Sequence, residues 1–343
     1  MLETKPYYYT NRGSAYAGDS LQLLAELPTS SIDLVMTSPP FALRRKKTYG
    51  NVDETEYVAW LIPFAKHILR VLKDTGSFVL DLGGAYRAGL PSRSLYNFRV
   101  LIALCDQVGF HLAEDFYWFN PAKLPSPIEW VNKKKMRAKD SINTVWWFSK
   151  TPFPKADVRK VLIPYSERMK KLLKDPDGFY QPNKRPSGHD IGRGFDVDNG
   201  GAIPSNLLSI SNTDSNSHYL RMCKYFGLER HPARYPEGLP AFFINMLTDP
   251  GDIVLDIFAG SNTTGHAAER LNRTWLSFDN SLEYLKASAF RFLEDFSVTA
   301  IGEILKNLAD AHANARIPQN SIFVERIPCP ESEKLSCEML FSQ

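Results

Sequence analysis

Asp252-Ile253-Val254-Leu255-Asp256-Ile257-Phe258-Ala259-Gly260-Ser261-Asn262-Thr263-Thr264-Gly265 is the stretch whose reading decides the fold. An aliphatic, β-branched run closes on an acid, a glycine turn follows, and a helix is expected from His266 to Leu271. That is the layout of a nucleotide-binding βα unit. It contains neither a Walker lysine nor a full G-x-G-x-x-G, so neither phosphate binding nor a dinucleotide is favoured. The next expected strand, Thr274-Trp275-Leu276-Ser277-Phe278-Asp279, ends in a second acid where such folds hold a ribose hydroxyl.

The same rhythm runs upstream. Leu21, Leu23, Leu24 and Leu27 follow at helical spacing, with Asp19 or Ser20 as the cap. Asp19 also has the position of a loop carboxylate that reads an amino or hydroxyl group in open α/β sheets. Ser31 to Met36 reads as a buried strand, Tyr57 to Leu72 as an amphipathic helix stopped by Gly76, and Ser77 to Gly84 as a second buried strand. A helix is expected from Asn97 to Val108, then strands at Phe116–Phe119 and Asn143–Phe148. Strand-helix alternation of this kind implies an α/β protein with a doubly wound, mostly parallel sheet. Residues 1–150 and 231–300 then form two halves of one domain, and residues 301–343 a C-terminal helix and tail.

The strand at Ser31–Met36 runs into Thr37-Ser38-Pro39-Pro40-Phe41. Two consecutive prolines remove two backbone donors and fix φ, so the segment can neither extend the ladder nor open a helix. A hydroxyl, free carbonyls and an aromatic ring together suit a flat ligand bearing an exocyclic amine. Taken alone, the same residues read equally as a plain turn closing a strand.

Composition bounds the rest. The chain has 343 residues, 43% hydrophobic and 23% charged, ordinary for a globular protein. No apolar run is long enough to span a bilayer and the first residues lack a signal-peptide core, which predicts an intracellular, cytoplasmic protein. Cys105, Cys223, Cys329 and Cys337 show no metal-ligand spacing, so no metal is expected. Net charge is +3, but residues 120–193 hold seventeen Lys or Arg against seven Asp or Glu, ten net positive charges. A basic middle between acidic ends is the footprint of a polyanion partner. Residues 151–230 lose the α/β rhythm and are rich in Pro, Gly, Asn and Ser, as expected of a recognition insertion. Tyr180, His189, Asn199, Asn206, Asn212 and Asn216 are base-reading residue types within it.

Together, Thr37-Ser38-Pro39-Pro40-Phe41 and Asp256-Ile257-Phe258-Ala259-Gly260-Ser261-Asn262-Thr263-Thr264 resemble the catalytic and cofactor motifs of amino-group DNA methyltransferases that use S-adenosylmethionine. Ser-Pro-Pro resembles the cytosine-N4 members, whereas adenine-N6 enzymes mostly carry Asp-Pro-Pro-Tyr. Catalytic motif before cofactor motif, with recognition between, is similar to the permuted β arrangement. Arg185-Pro186-Ser187-Gly188-His189-Asp190 and Trp146-Trp147-Phe148-Ser149-Lys150 extend the resemblance to PvuII-type modification enzymes.

The resemblance implies a seven-stranded Rossmann-like methyltransferase sheet and double-stranded DNA as partner. It implies a monomer that flips its target base and protects DNA in a restriction-modification system, with CAGCTG as the target. Ser38, Pro39, Pro40, Phe41 and Asp81 would be catalytic. Asp19, Asp256, Phe258, Gly260, Ser261, Asn262, Thr263, Thr264 and Asp279 would hold the cofactor, with Arg234 near its carboxylate. Arg44, Arg45, Lys46, Lys47, Lys133, Lys134, Lys135, Arg185 and His189 would touch DNA. Asn262 departs from the glycine of many relatives and Asp279 from their glutamate. Adenine-N6 methylation, or DNA binding without catalysis on the same fold, are the alternatives.

Overall fold

The run Ile32–Thr37 is buried throughout. Its side chains divide between two apolar clusters, Leu34 and Met36 in one, Ile32 and Val35 in the other. A strand covered on both faces needs no polar alternation, which is why it reads as a continuous apolar run. The computed structural model describes residues 2–42, 52–87, 89–179, 197–213, 217–309 and 314–318.

The strands in chain order are β1 (Tyr8–Tyr9), β2 (Gly13–Ala17), β3 (Ile32–Thr37), β4 (Leu72–Leu82), β5 (His111–Phe119), β6 (Ile142–Ser149), β7 (Leu207–Ser209), β8 (Ile253–Asp256), β9 (Thr274–Asp279) and β10 (Ala315–Arg316). They form one sheet in the order β10-β1-β2-β9-β8-β3-β4-β6-β5-β7. The five-strand centre β2-β9-β8-β3-β4 is parallel, with Leu34 opposite Val254 and Ser77, and Val254 opposite Trp275.

Helices α1 (Ser20–Glu26), α2 (Tyr57–Val71) and α3 (Tyr96–Ala103) cover one face, through Leu23, Leu24, Leu61, Ile68 and Val100. Helices α4 (Glu167–Lys174) and α5 (Pro176–Phe179) precede α6 (His218–Phe226), α7 (Gly238–Leu247), α8 (Thr263–Arg270), α9 (Leu282–Ser288) and α10 (Val298–Asn307). Of these, α6, α7, α8, α9 and α10 place Tyr219, Phe243, Ala267, Leu285 and Ile301 in the cluster on the other face. No helix among the described residues is long and apolar enough to cross a membrane.

The doubly wound, mostly parallel architecture is the one expected, but the sheet has ten strands rather than seven. The additions at its edges, β1, β7 and β10, are two or three residues long, too short to leave a periodic signature. Within this mostly parallel sheet, β6 runs antiparallel to both β4 and β5. Gly76 is not a helix stop: α2 ends at Val71, and Gly76 lies inside β4 beside the Ile32 carbonyl.

Candidate active site

A doubly wound sheet collects loops at the carboxyl ends of its parallel strands, and here they surround a cavity of about 1310 Å³. That volume exceeds what one small ligand fills, so two adjacent occupants fit. Asp19, Phe258, Ser261, Thr263 and Asp279 line it together with Ser38, Pro39, Phe41, Asp81 and Asn143.

The turn after β3 is fastened rather than free. Tyr57, fully buried on α2, donates its hydroxyl to the Pro40 carbonyl at 2.7 Å. The Pro39 carbonyl accepts no hydrogen bond among the described residues and lies at the cavity wall. Phe41 packs so closely on the end of β4 that a Cβ at Gly83 would stand 2.5 Å from its ring. Glycine at position 83 is therefore what lets the Phe41 ring lie there.

Ser38 donates its hydroxyl to Asp81 Oδ2 at 3.0 Å, and Asn143 donates its side-chain amide to Oδ1 at 3.2 Å. Asp81 is only 2% exposed. Burial pushes its carboxyl up to about 6, against the lowering effect of the Ser38 and Asn143 hydrogen bonds and the Lys123 charge. Its side chain faces Ser38 and Asn143 rather than capping the Gly83-Gly84 turn, the other role open to an acid at that place.

The glycine turn after β8 is built around Asp256. Its carboxylate accepts from Thr37 Oγ1 at 2.6 Å, Thr264 Oγ1 at 2.6 Å, Tyr235 OH at 3.2 Å and the Phe258 N–H at 3.1 Å. Burial holds this carboxyl above its usual range despite the four donors. Asp256 thus ties the strand that carries Ser38 to the loop that carries Phe258, and it faces inward, away from the cavity wall.

Asn262 and Thr264 are likewise turned inward. Asn262 takes φ +54 in the left-handed region, which asparagine tolerates better than most residues. Its amide oxygen accepts from Ser277 Oγ at 2.6 Å and from the Gly265 N–H at 3.1 Å, and its amide nitrogen donates to Tyr8 OH at 3.0 Å. Gly260 has φ +51, a conformation that favours glycine, and a Cβ there would crowd the His231 ring at 3.0 Å. Its N–H donates to Asp279 Oδ2 at 2.7 Å.

Asp19 caps α1 through the Leu21 N–H at 2.7 Å and also lines the cavity. Asp279 accepts from the Ser281 N–H at 2.9 Å as well as from Gly260, and burial raises its carboxyl above the usual range. Its two oxygens together still have lone-pair capacity for a hydroxyl donor. Arg234 lines the cavity, donates to the His231 carbonyl and makes no ion pair among the described residues.

Two carboxylates, the Phe258 ring packed against Trp60 and Phe64, and a cation at one cavity fit an adenosine-like group carrying an amino-acid end.

Lys133, Lys134 and Lys135 are exposed, with Lys133 paired to Glu129 at 3.1 Å. Asn206 donates to the Asp115 carbonyl at 2.9 Å and ties β7 in place, whereas Asn212 lines the cavity. Arg44, Arg45, Lys46, Lys47, Arg185 and His189 lie outside the described residues, as do Tyr180 and Asn216.

Asn143, Tyr57, Tyr235 and Lys123 are residues that motif reading missed. A signal for Asn143 exists once the direction of β6 is known: Leu82 pairs with Thr144, so the start of an antiparallel strand abuts the end of β4.

A family model described as DNA methylase matches residues 32–290. The type II methyltransferase M.PvuII of Proteus hauseri is 65% identical over 291 residues, 85% of this chain and 87% of its own length. M.BglII of Bacillus subtilis is 27% identical over 272 residues, 79% of this chain and 66% of that protein. A solved structure described as PvuII DNA methyltransferase (cytosine-N4-specific) superposes with a TM-score of 0.75 at 52% identity, covering 94% of this chain and 100% of the other.

Proposed function

Because this chain belongs to the DNA methylase family, we propose that it is a site-specific methyltransferase acting on cytosine N4 in double-stranded DNA. It acts as a cytoplasmic monomer protecting DNA in a restriction-modification system, with CAGCTG as target. S-adenosylmethionine supplies a sulfonium methyl group as electrophile. Asp19, Phe258, Ser261, Thr263 and Asp279 are its binding residues, Gly260 and Asn262 shape the loop, and Asp256 and Thr264 hold that loop to β3.

The observation that carries the reading is the Ser38 hydroxyl, donated to buried Asp81 at 3.0 Å on the cavity wall. Cytosine N4 is a poor nucleophile because its lone pair is delocalised into the ring, so the site must favour a pyramidal nitrogen. Since Ser38 spends its proton on Asp81, its oxygen lone pairs are acceptors for one N4–H. The Pro39 carbonyl, which accepts no hydrogen bond among the described residues, accepts the other, and Phe41 stacks on the ring.

The methylated amine sheds one proton. Ser38 takes it while passing its own to Asp81, which releases it to solvent; the amine has then exchanged one N–H bond for one N–C bond. At neutral pH a carboxyl held at about 6 is mostly ionised and ready to accept.

The target atom is reached by turning the base out of the duplex. Arg44, Arg45, Lys46, Lys47 and Lys133 to Lys135 contact phosphates, and residues 151–230, with Arg185 and His189, form the target-recognition region between the catalytic half (1–150) and the cofactor half (231–300). Methylation of a random-sequence DNA library, read by modification-sensitive sequencing, tests this. Marks confined to one cytosine of CAGCTG are expected; marks scattered over unrelated sites contradict the site-specific reading.

A further inference from the structure

Residues 120–140 leave the sheet between β5 and β6 and return to it along the cavity rim. Among the described residues the excursion has no strand partner, but it is closely tied. Asn120 Oδ1 accepts the Ala122 N–H at 3.1 Å, and the Lys123 N–H donates to the Asn120 carbonyl at 3.1 Å. Lys139 Nζ bridges the carbonyls of Pro121 at 3.1 Å and Lys123 at 3.3 Å. The Asp140 N–H donates to the Ser126 carbonyl at 2.9 Å, and its carboxylate grips Arg93 at 2.8 and 2.9 Å. Pro125 and Pro127 restrict the backbone further.

At the tip of this fastened loop stands Leu124, 81% exposed. Its neighbours Lys123 and Ser126 line the cavity, as do Pro127 and Trp130. A single exposed leucine is ordinary. One on a braced loop whose neighbours line the cavity is different, because the bonds that fix the backbone also fix where the side chain stands. The same excursion carries Lys134 and Lys135, exposed and without an ion pair among the described residues. A loop segment that carries an exposed aliphatic side chain together with exposed lysines suits a duplex, whose charged rails flank an apolar stack.

We propose that Leu124 enters the base stack at the target site and fills the space left by the extruded cytosine, with Lys134 and Lys135 seated on the adjoining phosphates. This rests on the base-flipping reading above. The side chain replaces stacking that the flipped base gives up, so it favours the open duplex rather than binding as such.

The test uses the full-length protein, its Leu124→Ala variant and two CAGCTG duplexes, one fully paired and one with an abasic site opposite the target cytosine. On the paired duplex the variant is expected to methylate about 10-fold more slowly in single turnover, the worth of roughly one stacked base. On the abasic duplex, where extrusion is already cheap, the loss shrinks below about threefold. Equal rates on the paired duplex overturn the proposal, and so does an equal loss on both, which marks a general defect. Pyrrolocytosine at the target position separates the two levels of inference. No fluorescence change with the wild-type protein overturns base flipping and the wedge together. A wild-type rise that Leu124→Ala reproduces overturns the wedge alone.

Discussion

Asparagine in place of Asp81 lowers the single-turnover rate of methyl transfer by about 10²–10³-fold, the usual worth of a positioned proton acceptor. The substitution keeps the volume and lets the Asn143 amide turn to pair with the new one. What disappears is the anion that receives the Ser38 hydroxyl proton. S-adenosylmethionine affinity stays within about threefold, because Asp81 touches the loop that holds Ser38 and not the one that holds Phe258.

The pH dependence has a definite sign. The wild-type chemical step declines as pH falls through about 6, where the buried carboxyl takes up its proton, and the variant loses this limb. Stability moves the other way. A folded-state carboxyl at about 6 against an ordinary 3.8 binds its proton more tightly when folded. Its contribution is therefore favourable toward low pH and is lost as pH rises from about 4 to 6. Above that, an ionised Asp81 costs the fold about 3 kcal/mol by this shift alone. Asp81→Asn accordingly melts at a higher temperature than wild type at pH 7.5, with the advantage shrinking toward pH 4. A variant that methylates at the wild-type rate removes Asp81 from the proton path.

The largest loss of stability is expected at Asp256. Alanine there leaves the Thr37 hydroxyl and the Phe258 N–H without their acceptor in a buried setting, as well as one of the Thr264 and Tyr235 hydroxyls, which can still bond each other. Part of that cost is offset because the charge is no longer buried. A net destabilisation of about 3–5 kcal/mol follows, as for a buried polar network losing its central member. Since Thr37 adjoins Ser38 and Phe258 lines the cavity, methyl transfer and S-adenosylmethionine binding fail together under conditions where the variant is still folded. Urea unfolding with calorimetry checks both. A midpoint shift worth less than about 1 kcal/mol would mean that β3 and the glycine turn are held by something else.

How much of this was legible in the sequence depends on what each residue faces. The runs that became β3, β4, β8 and β9 were readable because central parallel strands are buried on both faces. The two-residue β1 and β10 were not, since their places are set by pairing with each other and with β2. The direction of β6 was hidden for a similar reason: Asn143-Thr144-Val145-Trp146 has the same apolar content whichever way it runs.

In the site, Ser38, Phe41 and Asp81 were readable because proline, aromatic and acid occur where strands end. Asp256, Asn262 and Thr264 were read as part of the same ligand-holding loop as Ser261 and Thr263, yet only the latter two line the cavity. A motif specifies which residues a turn contains but not which side of it each one faces. That is decided by partners distant in sequence, such as Tyr8, Thr37 and Tyr235.

The central claim is that Ser38, in place of an aspartate, and the Pro39 carbonyl together present a pair of acceptors to the exocyclic amine of cytosine. Digesting DNA modified by the purified protein to nucleosides, and identifying the methylated one by mass, tests it most directly. N4-methyldeoxycytidine is the predicted product; N6-methyldeoxyadenosine, or no methylated nucleoside at all, would contradict it.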